Sequence, residues 1–508
     1  MSHSEDDKTT GRAGAMNKGG RRPNLLFLIT DQQRADTVAP DSPCHTPHVD
    51  SLAGDGVRFE RCYSQNPVCS PSRASLMTGL LPHSHGMVDI THAVETYRAD
   101  LKPDLPFWSR TLQQAGYRTG YFGKWHVERS DELERFGFDE YELIEQGGAG
   151  SQGFHEYRER LGLGAQAGLA ERYDLRHKGY HDFLLYGVTD EPVEATAEHY
   201  LYSRGIEFLD RHEDESQPWA LFISSEGPHD PFVVPREYRE RYDVKDIPRP
   251  ASWGDDLADR PGLYRRLQGV YRGLDWSEFA EATACYYAFC SLVDDQVGRI
   301  LSRLRTGGDS ENTLITYTSD HGDYMGAHRL LQKGMAPFEE AYKVPLILKG
   351  PGVPVGETRS QIVSLIDVAP TLVELTLNER FACQGRSLVP LLEAAAAQWS
   401  NEAFAEFHGQ RFSYSQRTLW RDQYKYVFNC FDEDELYDLA ADPHELRNLA
   451  AEPELKPVLE KLAARMWEII VDTDDFNMYE AEYGIFRFAP VGPAAAKARR
   501  REDGSGRR

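Results

Sequence analysis

The sequence predicts an α/β fold built around a large parallel or mixed sheet, with a smaller subdomain at the C-terminal end. Apolar runs alternate with stretches of helical periodicity up to about residue 375. Beyond that point, short strand-and-turn segments precede a single amphipathic helix. A chain of 508 residues exceeds the usual size of one domain, and its 40% of hydrophobic residues can fill a large core.

The individual elements follow from these patterns. Short apolar runs predict five strands, which are Asn24–Thr30, Thr119–Phe122, Trp219–Ser224, Thr313–Thr318 and Val344–Leu348. An apolar stripe at helical spacing predicts a long helix from about Ala280 to Leu304. A second stripe predicts a helix near Leu455–Ile470.

Composition divides the chain into four parts. Residues 1–21 are polar and glycine-containing, which predicts a disordered N-terminal tail, and Met16 is an alternative start to Met1. Residues 22–375 form the predicted large domain, and residues 376–491 form a smaller C-terminal subdomain. Residues 492–508 are predicted to be a disordered basic tail.

Charge and cysteine usage exclude some functions. A formal net charge of −24 argues against nucleic-acid binding, because the phosphates would be repelled. The seven cysteines are scattered with no CxxC pair, which predicts reduced thiols in the cytoplasm. The apolar run Leu25–Ile29 near the start is too short for a signal-peptide core or a membrane span. We therefore expect a soluble, cytoplasmic protein without membrane contact.

The segment "CSPSRASLMTG", which begins at Cys69, predicts an anion-binding helix start. Ser70 is a favoured N-cap and Pro71 suits the first helical turn. Cys69 then lies where free N–H groups and the helix dipole favour negative charge, and Arg73 adds a positive charge. Cys69 is either a small buried hydrophobe or a thiolate of low pKa, and these local features alone leave both open.

Polar side chains also follow four of the predicted strands. They are Asp31; Lys124 and His126 in "GKWH"; His229 and Asp230 in "PHDPF"; and Asp320, His321 and Asp323 in "SDHGD". Each group alone can be turn chemistry. Because ligands of α/β sheets bind outside the carboxyl ends of the strands, we expect the four groups to meet in one crevice.

These residue types suggest a metal-assisted reaction at an oxyanion. Two carboxylates and one imidazole, from Asp31, Asp320 and His321, favour a hard divalent cation, leaving Ca²⁺, Mg²⁺ and Mn²⁺ open. Positive charge for an oxyanion can come from Arg73, Lys124 and Lys333. A proton or hydrogen bond for a leaving-group oxygen can come from His126 or His229.

"CSPSR" followed by "ASLMTG" resembles the Cys-x-Pro-x-Arg signature of the type I sulfatases. The resemblance extends over most of residues 23–450. Further similar segments are "NLLFLITDQQRAD", "GYRTGYFGKWH", "PHDPF", "YTSDHGDYMGAHRLLQKG", "VPLILKGPG", "IDVAPTLVEL" and "ELYDLAADPHELRNLA". It implies an alkaline-phosphatase-like sandwich, in which helices flank a large mixed central sheet and a smaller α+β subdomain follows.

The resemblance also implies a modified nucleophile. In this family a separate maturation enzyme oxidises the signature cysteine, here Cys69, to Cα-formylglycine, whose hydrated aldehyde attacks sulfur. Arg73 and the metal site would stabilise the attacking oxygen, and a histidine or lysine would assist the departing alcohol. The second hydroxyl would then expel sulfate and restore the aldehyde. The metal ligands would be Asp31, Asp320, His321 and modified residue 69, and the catalytic lysine would be Lys333.

One departure from the family pattern concerns the residue after Asp31. Many members carry a second aspartate there, whereas this chain has Gln32, as in the choline sulfatases and phosphonate monoester hydrolases. Gln32 is therefore a further possible metal ligand. Phosphonate hydrolases tend to lack the lysine and histidine of "GKWH", which this chain keeps as Lys124 and His126.

We therefore expect hydrolysis of a small organic or carbohydrate sulfate monoester, with release of inorganic sulfate. The alternatives are a phosphonate monoester or phosphodiester hydrolase with the same machinery, a non-catalytic anion-binding protein, and a cysteine-nucleophile hydrolase. Residues 145–195 and 240–278 are expected to form the pocket walls. The identity of the alcohol and the oligomeric state stay open at this stage.

Overall fold

The computed structural model describes residues 21–148, 150–164, 168–176, 182–213, 216–430, 432–479 and 489–502. Residues 1–20 of the predicted N-terminal tail lie outside the described residues. The strands are β1 (Asn24–Thr30), β2 (Val57–Tyr63), β3 (Arg118–Gly123), β4 (Glu140–Leu143), β5 (Glu171–Leu175), β6 (Phe183–Thr189), β7 (Trp219–Ser224), β8 (Phe232–Pro235), β9 (Thr313–Ser319), β10 (Lys343–Lys349), β11 (Glu357–Ser364), β12 (Glu402–Phe407), β13 (Gln416–Arg421), β14 (Tyr424–Asn429) and β15 (Glu435–Asp438).

Helices separate these strands along the chain. They are α1 (Pro47–Gly54), α2 (Cys69–Thr78), α3 (Pro82–His85), α4 (Trp108–Gln114), α5 (Gln152–Arg160), α6 (Ala197–His212), α7 (Arg236–Arg239), α8 (Gly262–Val270), α9 (Trp276–Thr306), α10 (Glu339–Tyr342), α11 (Val368–Leu377), α12 (Val389–Glu393), α13 (Lys456–Asp472), α14 (Phe476–Tyr479) and α15 (Ala494–Glu502). The five predicted strands and the two predicted helices are confirmed, with ends that differ by a few residues.

An eight-stranded mixed sheet forms the centre of the molecule, in the order β11-β2-β10-β9-β1-β7-β3-β4. Strand β1 pairs in parallel with β7 and β9, and β3 continues the parallel part beside β7. Strand β10 runs antiparallel to β9 and β2. The large mixed sheet predicted for the fold is confirmed, and the carboxyl ends of four consecutive parallel strands meet at one edge.

Both faces of this sheet are buried. Side chains of β1 alternate between them, so that Leu25 and Phe27 pack on one face while Leu26 and Leu28 pack on the other. The first face is covered by α2, α4 and α11, and the second by α1, α6 and α9. Near-continuous apolar strands are the expected signature of a sheet covered by helices on both sides.

A second, antiparallel sheet, β12-β13-β14-β15, forms the C-terminal part, and α13 packs against it. The predicted division at residues 375/376 falls inside α11, and Leu388 and Leu391 still pack in the main core. The structural division therefore lies between β11 and β12. A small third sheet, β5-β6-β8, lies at the side of the molecule.

The C-terminal end differs from the prediction of a disordered tail over residues 492–508. Residues Ala494–Glu502 form α15, in which Ala496 is buried. Arg500 donates a hydrogen bond to the carbonyl oxygen of Val471, and Arg499 lies 2.5 Å from Glu468. These contacts with α13 order a segment whose composition alone is typical of a solvated tail. Among the described residues, no helix has the length and apolar character required to cross a membrane.

Candidate active site

The parallel strands deliver the predicted polar residues to one place. Asp31 follows β1, Lys124 follows β3, and Asp320 follows β9. The strands are in register there, because Ile29 and Gly123 both pair with Ser224, the last residue of β7. The side chains that leave these strand ends are therefore neighbours, as in other α/β sheets.

Four buried side chains form a cluster suited to a cation. The ligand atoms of Asp31, Cys69, Asp320 and His321 all lie within 4.8 Å of one another. The Nε2 atom of His321 is 3.2 Å from the Cys69 sulfur and 3.7 Å from Asp31 Oδ1. Its Nδ1 lies 2.9 Å from the carbonyl oxygen of Gly322, which fixes the tautomer with Nε2 as the free lone pair.

The donor chemistry of this cluster fits a hard divalent cation. Asp31 and Asp320 supply carboxylate oxygens and are fully buried. Burial lowers the pKa of His321, so its ring is neutral and can donate a lone pair. Two buried carboxylates this close to each other require positive charge nearby.

Two buried cations of the chain itself supply part of that charge. Arg73 donates from Nε to Asp320 Oδ2 at 2.7 Å and from NH2 to Asp31 Oδ2 at 3.0 Å. The Lys124 ammonium lies 2.9 Å from Asp31 Oδ2. Burial alone would raise the pKa of Asp31, but Lys124, His229 and Arg73 hold it well below its usual value. Burial likewise opposes the charged form of Lys124, and Asp31 nevertheless raises the Lys124 pKa.

Helix α2 presents Cys69 as its first residue, and every residue of the helix is buried. The prediction of Ser70 as N-cap is wrong, because Val68 takes that position without a side-chain hydrogen bond. The Ser70 hydroxyl instead accepts a hydrogen bond from the backbone N–H of Thr91 at 3.0 Å. A cap bond is local, and here a contact distant in sequence uses the same oxygen. Pro71 lies in the first turn as predicted.

Gln32 and Lys333 form a second polar group beside the cluster. Gln32 Nε2 donates to Asp230 Oδ1 at 2.8 Å and to Asp323 Oδ2 at 2.6 Å. This fixes the amide so that its oxygen accepts a hydrogen bond from the Lys333 ammonium. The Gln32 backbone N–H donates to Asp320 Oδ1 at 3.1 Å, which ties this group to the proposed ligands.

His229 shares a proton with Lys333. The Lys333 Nζ and the His229 Nε2 are 2.6 Å apart, and His229 Nδ1 donates to the carbonyl oxygen of Asp230 at 2.5 Å. One proton lies between the two nitrogens, so the lysine ammonium donates to the neutral ring. Burial lowers the pKa of Lys333, but Cys69, Asp230 and Asp31 raise it above its usual value.

His126 lies at the edge of the group. Its ring stacks on that of His92 with centroids 5.6 Å apart, and its Nδ1 is buried without a hydrogen-bond partner among the described residues. Burial and the charge of Lys124 lower the His126 pKa well below its usual value. His126 is therefore a neutral ring beside the positive groups.

Three residues of the site were missed in the sequence. Ser224 Oγ accepts from Arg73 NH1 at 2.8 Å and donates to the carbonyl oxygen of Lys124 at 2.6 Å. Gln332 donates to Asp230 Oδ2 at 3.2 Å, and His92 supports His126. Only Ser224 carried a usable signal, because it is the last residue of a predicted strand.

Comparison with known proteins agrees with this arrangement. The profile of the family described as Sulfatase matches residues 23–378. A profile described as N-sulphoglucosamine sulphohydrolase, C-terminal, matches residues 326–472. The first match covers most of the chain and includes the whole central sheet.

Individual proteins extend the likeness. The chain is 31% identical over 455 residues to a choline-sulfatase of Rhizobium meliloti (85% of this chain, 83% of the relative). It is 30% identical over 440 residues to the uncharacterized sulfatase YidJ of Escherichia coli (84% and 83%). A crystal structure of a phosphonate monoester hydrolase of Agrobacterium radiobacter superposes with a TM-score of 0.74 at 25% identity, covering 89% of this chain and 96% of the other.

Proposed function

The chain belongs to the sulfatase family, and from this premise we propose that it hydrolyses a sulfate monoester of a small organic or carbohydrate alcohol. As a sulfuric ester hydrolase it would release inorganic sulfate and the free alcohol. The observation that carries the proposal is the position of Cys69. This residue starts α2 within 4.8 Å of three further candidate ligands, and Arg73 and Lys124 neutralise the carboxylates behind it.

We propose that Cys69 is the precursor of the nucleophile. A maturation enzyme would oxidise its CH2–SH group by two electrons to an aldehyde, with loss of the sulfur, and water would add to give two hydroxyls. A thiolate can attack sulfur, but it has no second hydroxyl with which to expel sulfate. The intact signature from Cys69 to Arg73 at a buried helix start supports this assignment.

The reaction then follows from the neighbouring groups. One hydroxyl oxygen of residue 69 bonds to sulfur while the bond from sulfur to the alcohol oxygen breaks. The guanidinium of Arg73 and the ammonium of Lys124 stabilise the negative charge that develops there. The second hydroxyl then loses its proton, the aldehyde reforms, and the oxygen–carbon bond to sulfate breaks.

The proton for the departing alcohol would come from the Lys333–His229 pair. These two nitrogens share one proton at 2.6 Å, so the lysine can donate through the ring or directly. His126 is a weaker candidate for the proton donor, because its pKa lies well below the usual value. We assign to His126 a hydrogen bond to the sulfate or to the alcohol.

A divalent cation, Ca²⁺, Mg²⁺ or Mn²⁺, would be held by Asp31, Asp320, His321 and modified residue 69, where it would supply positive charge beside the nucleophile. Gln32 is a further possible ligand, although its amide oxygen also accepts from Lys333. Sequestered carboxylates of this kind favour a hard cation over zinc. A cytoplasmic location remains a prediction of the sequence.

A second candidate is hydrolysis of a phosphonate monoester or a phosphodiester. It is favoured by Gln32 and by the fold shared with the phosphonate monoester hydrolase. The presence of both Lys124 and His126 favours sulfate esters.

The test uses protein produced together with a maturation enzyme. Peptide mass spectrometry measures the aldehyde at residue 69, and kcat/KM is compared for the 4-nitrophenyl sulfate, phosphate and phenylphosphonate monoesters. We expect the sulfate ester to be the best substrate and Cys69→Ala to be inactive. A higher kcat/KM for the phosphonate ester would favour the second candidate, and activity in protein whose Cys69 is unmodified would overturn the nucleophile.

A further inference from the structure

We propose that the alcohol part of the substrate carries a positive charge and binds in an acidic cavity beside His126. This inference rests on the proposed function and names the class of alcohol that it releases. The cavity has a volume of about 460 Å³, within the range of small-molecule sites. His126 forms part of its wall, together with Trp125 and His92.

The charge of this cavity is one-sided. Four carboxylates line it, which are Glu128, Asp131, Glu142 and Glu145. No lysine or arginine belongs to the described part of its lining.

The acidity of the whole chain does not account for this imbalance. A cavity of about 530 Å³ near β2 and β10 is lined by four acidic and four basic side chains. Another, of about 500 Å³ near α4, is lined by three of each sign. These cavities have similar sizes and belong to the same acidic molecule, but their charges are balanced.

Three of the four carboxylates are free to act on a ligand. Glu142 is compensated by Arg204 at 2.9 Å, whereas Glu128, Asp131 and Glu145 take part in no ion pair within the part of the chain that the structure describes. Glu145 Oε1 accepts the backbone N–H of Trp125 at 3.0 Å, which holds this side chain beside "GKWH". A net charge of about −3 in a concave surface attracts cations and repels anions.

The acidic cavity adjoins the cationic end of the site through one short segment. Lys124 reaches Asp31 at 2.9 Å, Trp125 is held by Glu145, and His126 faces the cavity. A substrate with sulfate at one end and an ammonium group at the other matches both charges at once. Such complementarity gives specificity, because an alcohol bearing a carboxylate or a second sulfate is repelled.

The experiment compares esters that differ in charge and little else. One pair is glucosamine 6-sulfate and N-acetylglucosamine 6-sulfate, and the other is choline sulfate and 3,3-dimethylbutyl sulfate. We expect kcat/KM to be about tenfold higher for the cationic member of at least one pair, because three partly exposed charges each contribute modestly. The pair that shows the effect identifies a primary or a quaternary ammonium group. High salt is expected to reduce the ratio.

Matched variants assign the effect to the cavity. Glu145→Gln, which keeps an acceptor for Trp125, and Asp131→Asn are expected to bring the ratio toward one. Asp104→Asn removes the same charge from the balanced cavity near α4 and is expected to leave the ratio as in the wild type.

Equal kcat/KM within both pairs, or ratios unaffected by Glu145→Gln and Asp131→Asn, would overturn this inference while the sulfatase activity stands. Turnover of 4-nitrophenyl sulfate without turnover of any of the four esters would do the same. Failure of the fully modified protein to hydrolyse any sulfate ester would overturn the proposed function itself.

Discussion

Replacing Arg73 by lysine keeps one positive charge but removes the planar guanidinium that joins the two buried carboxylates. Nε and NH2 each serve one carboxylate, Asp320 and Asp31, while NH1 bonds to the Lys124 carbonyl and to Ser224. Arg73 is only 2% exposed, so water cannot replace these contacts. A lysine ammonium can serve one carboxylate at a time.

The cost falls mainly on Asp320. Asp31 keeps Lys124 at 2.9 Å, whereas Oδ2 of Asp320 loses its ion pair. The carbonyl of Lys124 keeps hydrogen bonds from Ser224 and Tyr121. One lost charge-assisted hydrogen bond lowers the free energy of unfolding by about 1.5–3 kcal/mol. Arg73→Ala loses both ion pairs, which raises the loss to about 3–5 kcal/mol.

The assay combines urea unfolding with steady-state kinetics at matched concentrations of folded enzyme. We expect Arg73→Lys to lower kcat by about 10²- to 10³-fold, the typical cost of a lost oxyanion donor. Arg417→Lys is the control, because Arg417 donates to Asp475 at 2.9 and 2.6 Å and both residues are 1% exposed. This control should lose similar stability and keep its kcat. Wild-type kcat in Arg73→Lys, or an equal loss in Arg417→Lys, would refute the reasoning.

Three further predictions follow from the same contacts. Cys69→Ser keeps one hydroxyl, so single-turnover kinetics should show slow, substoichiometric release of alcohol and mass spectrometry a sulfated serine; sustained wild-type turnover would contradict the mechanism. Chelation should abolish turnover, Ca²⁺, Mg²⁺ or Mn²⁺ should restore it, and Asp320→Asn should lose metal while circular dichroism stays unchanged; stoichiometric zinc would oppose the assignment. Burial lowers the pKa of His83, but Glu406, 2.5 Å away, raises it above 6.5, and the Glu406 pKa lies well below its usual value. Their contribution to stability is therefore complete between the unfolded pKa values, about 4.3 and 6.5, and is lost as pH rises through the folded pKa of His83. Glu406→Gln should cost most at pH 5–6 and less at pH 9, and a cost independent of pH would contradict the ion pair.

The central sheet was accessible from the sequence because its signal is local. Strands buried on both faces read as short apolar runs, and the residue after each run marks the carboxyl edge. Asp31 and Asp320 could therefore be assigned to one crevice before any contact was known. The register that brings Ile29 and Gly123 to Ser224 completes the arrangement.

Features that depend on distant contacts could not be predicted in this way. Ser70 has the right chemistry for a helix cap, but its hydroxyl bonds to Thr91 N–H instead. The composition of α15 is that of a solvated tail, and its order comes from contacts with Val471 and Glu468 of α13. The direction of the Gln32 amide likewise depends on carboxylates far away in sequence.

The burial of α2 has a consequence for the timing of maturation. In the folded protein Cys69 is 1% exposed, and all ten residues of the helix that it starts are buried. An enzyme that must grip the signature segment in its own cleft cannot reach it there without unfolding the core around the central sheet. Under the proposed maturation, the oxidation competes with folding on the nascent or newly released chain. The active fraction of any preparation is then set by that kinetic competition, and late addition of the maturation enzyme to folded protein should not raise it.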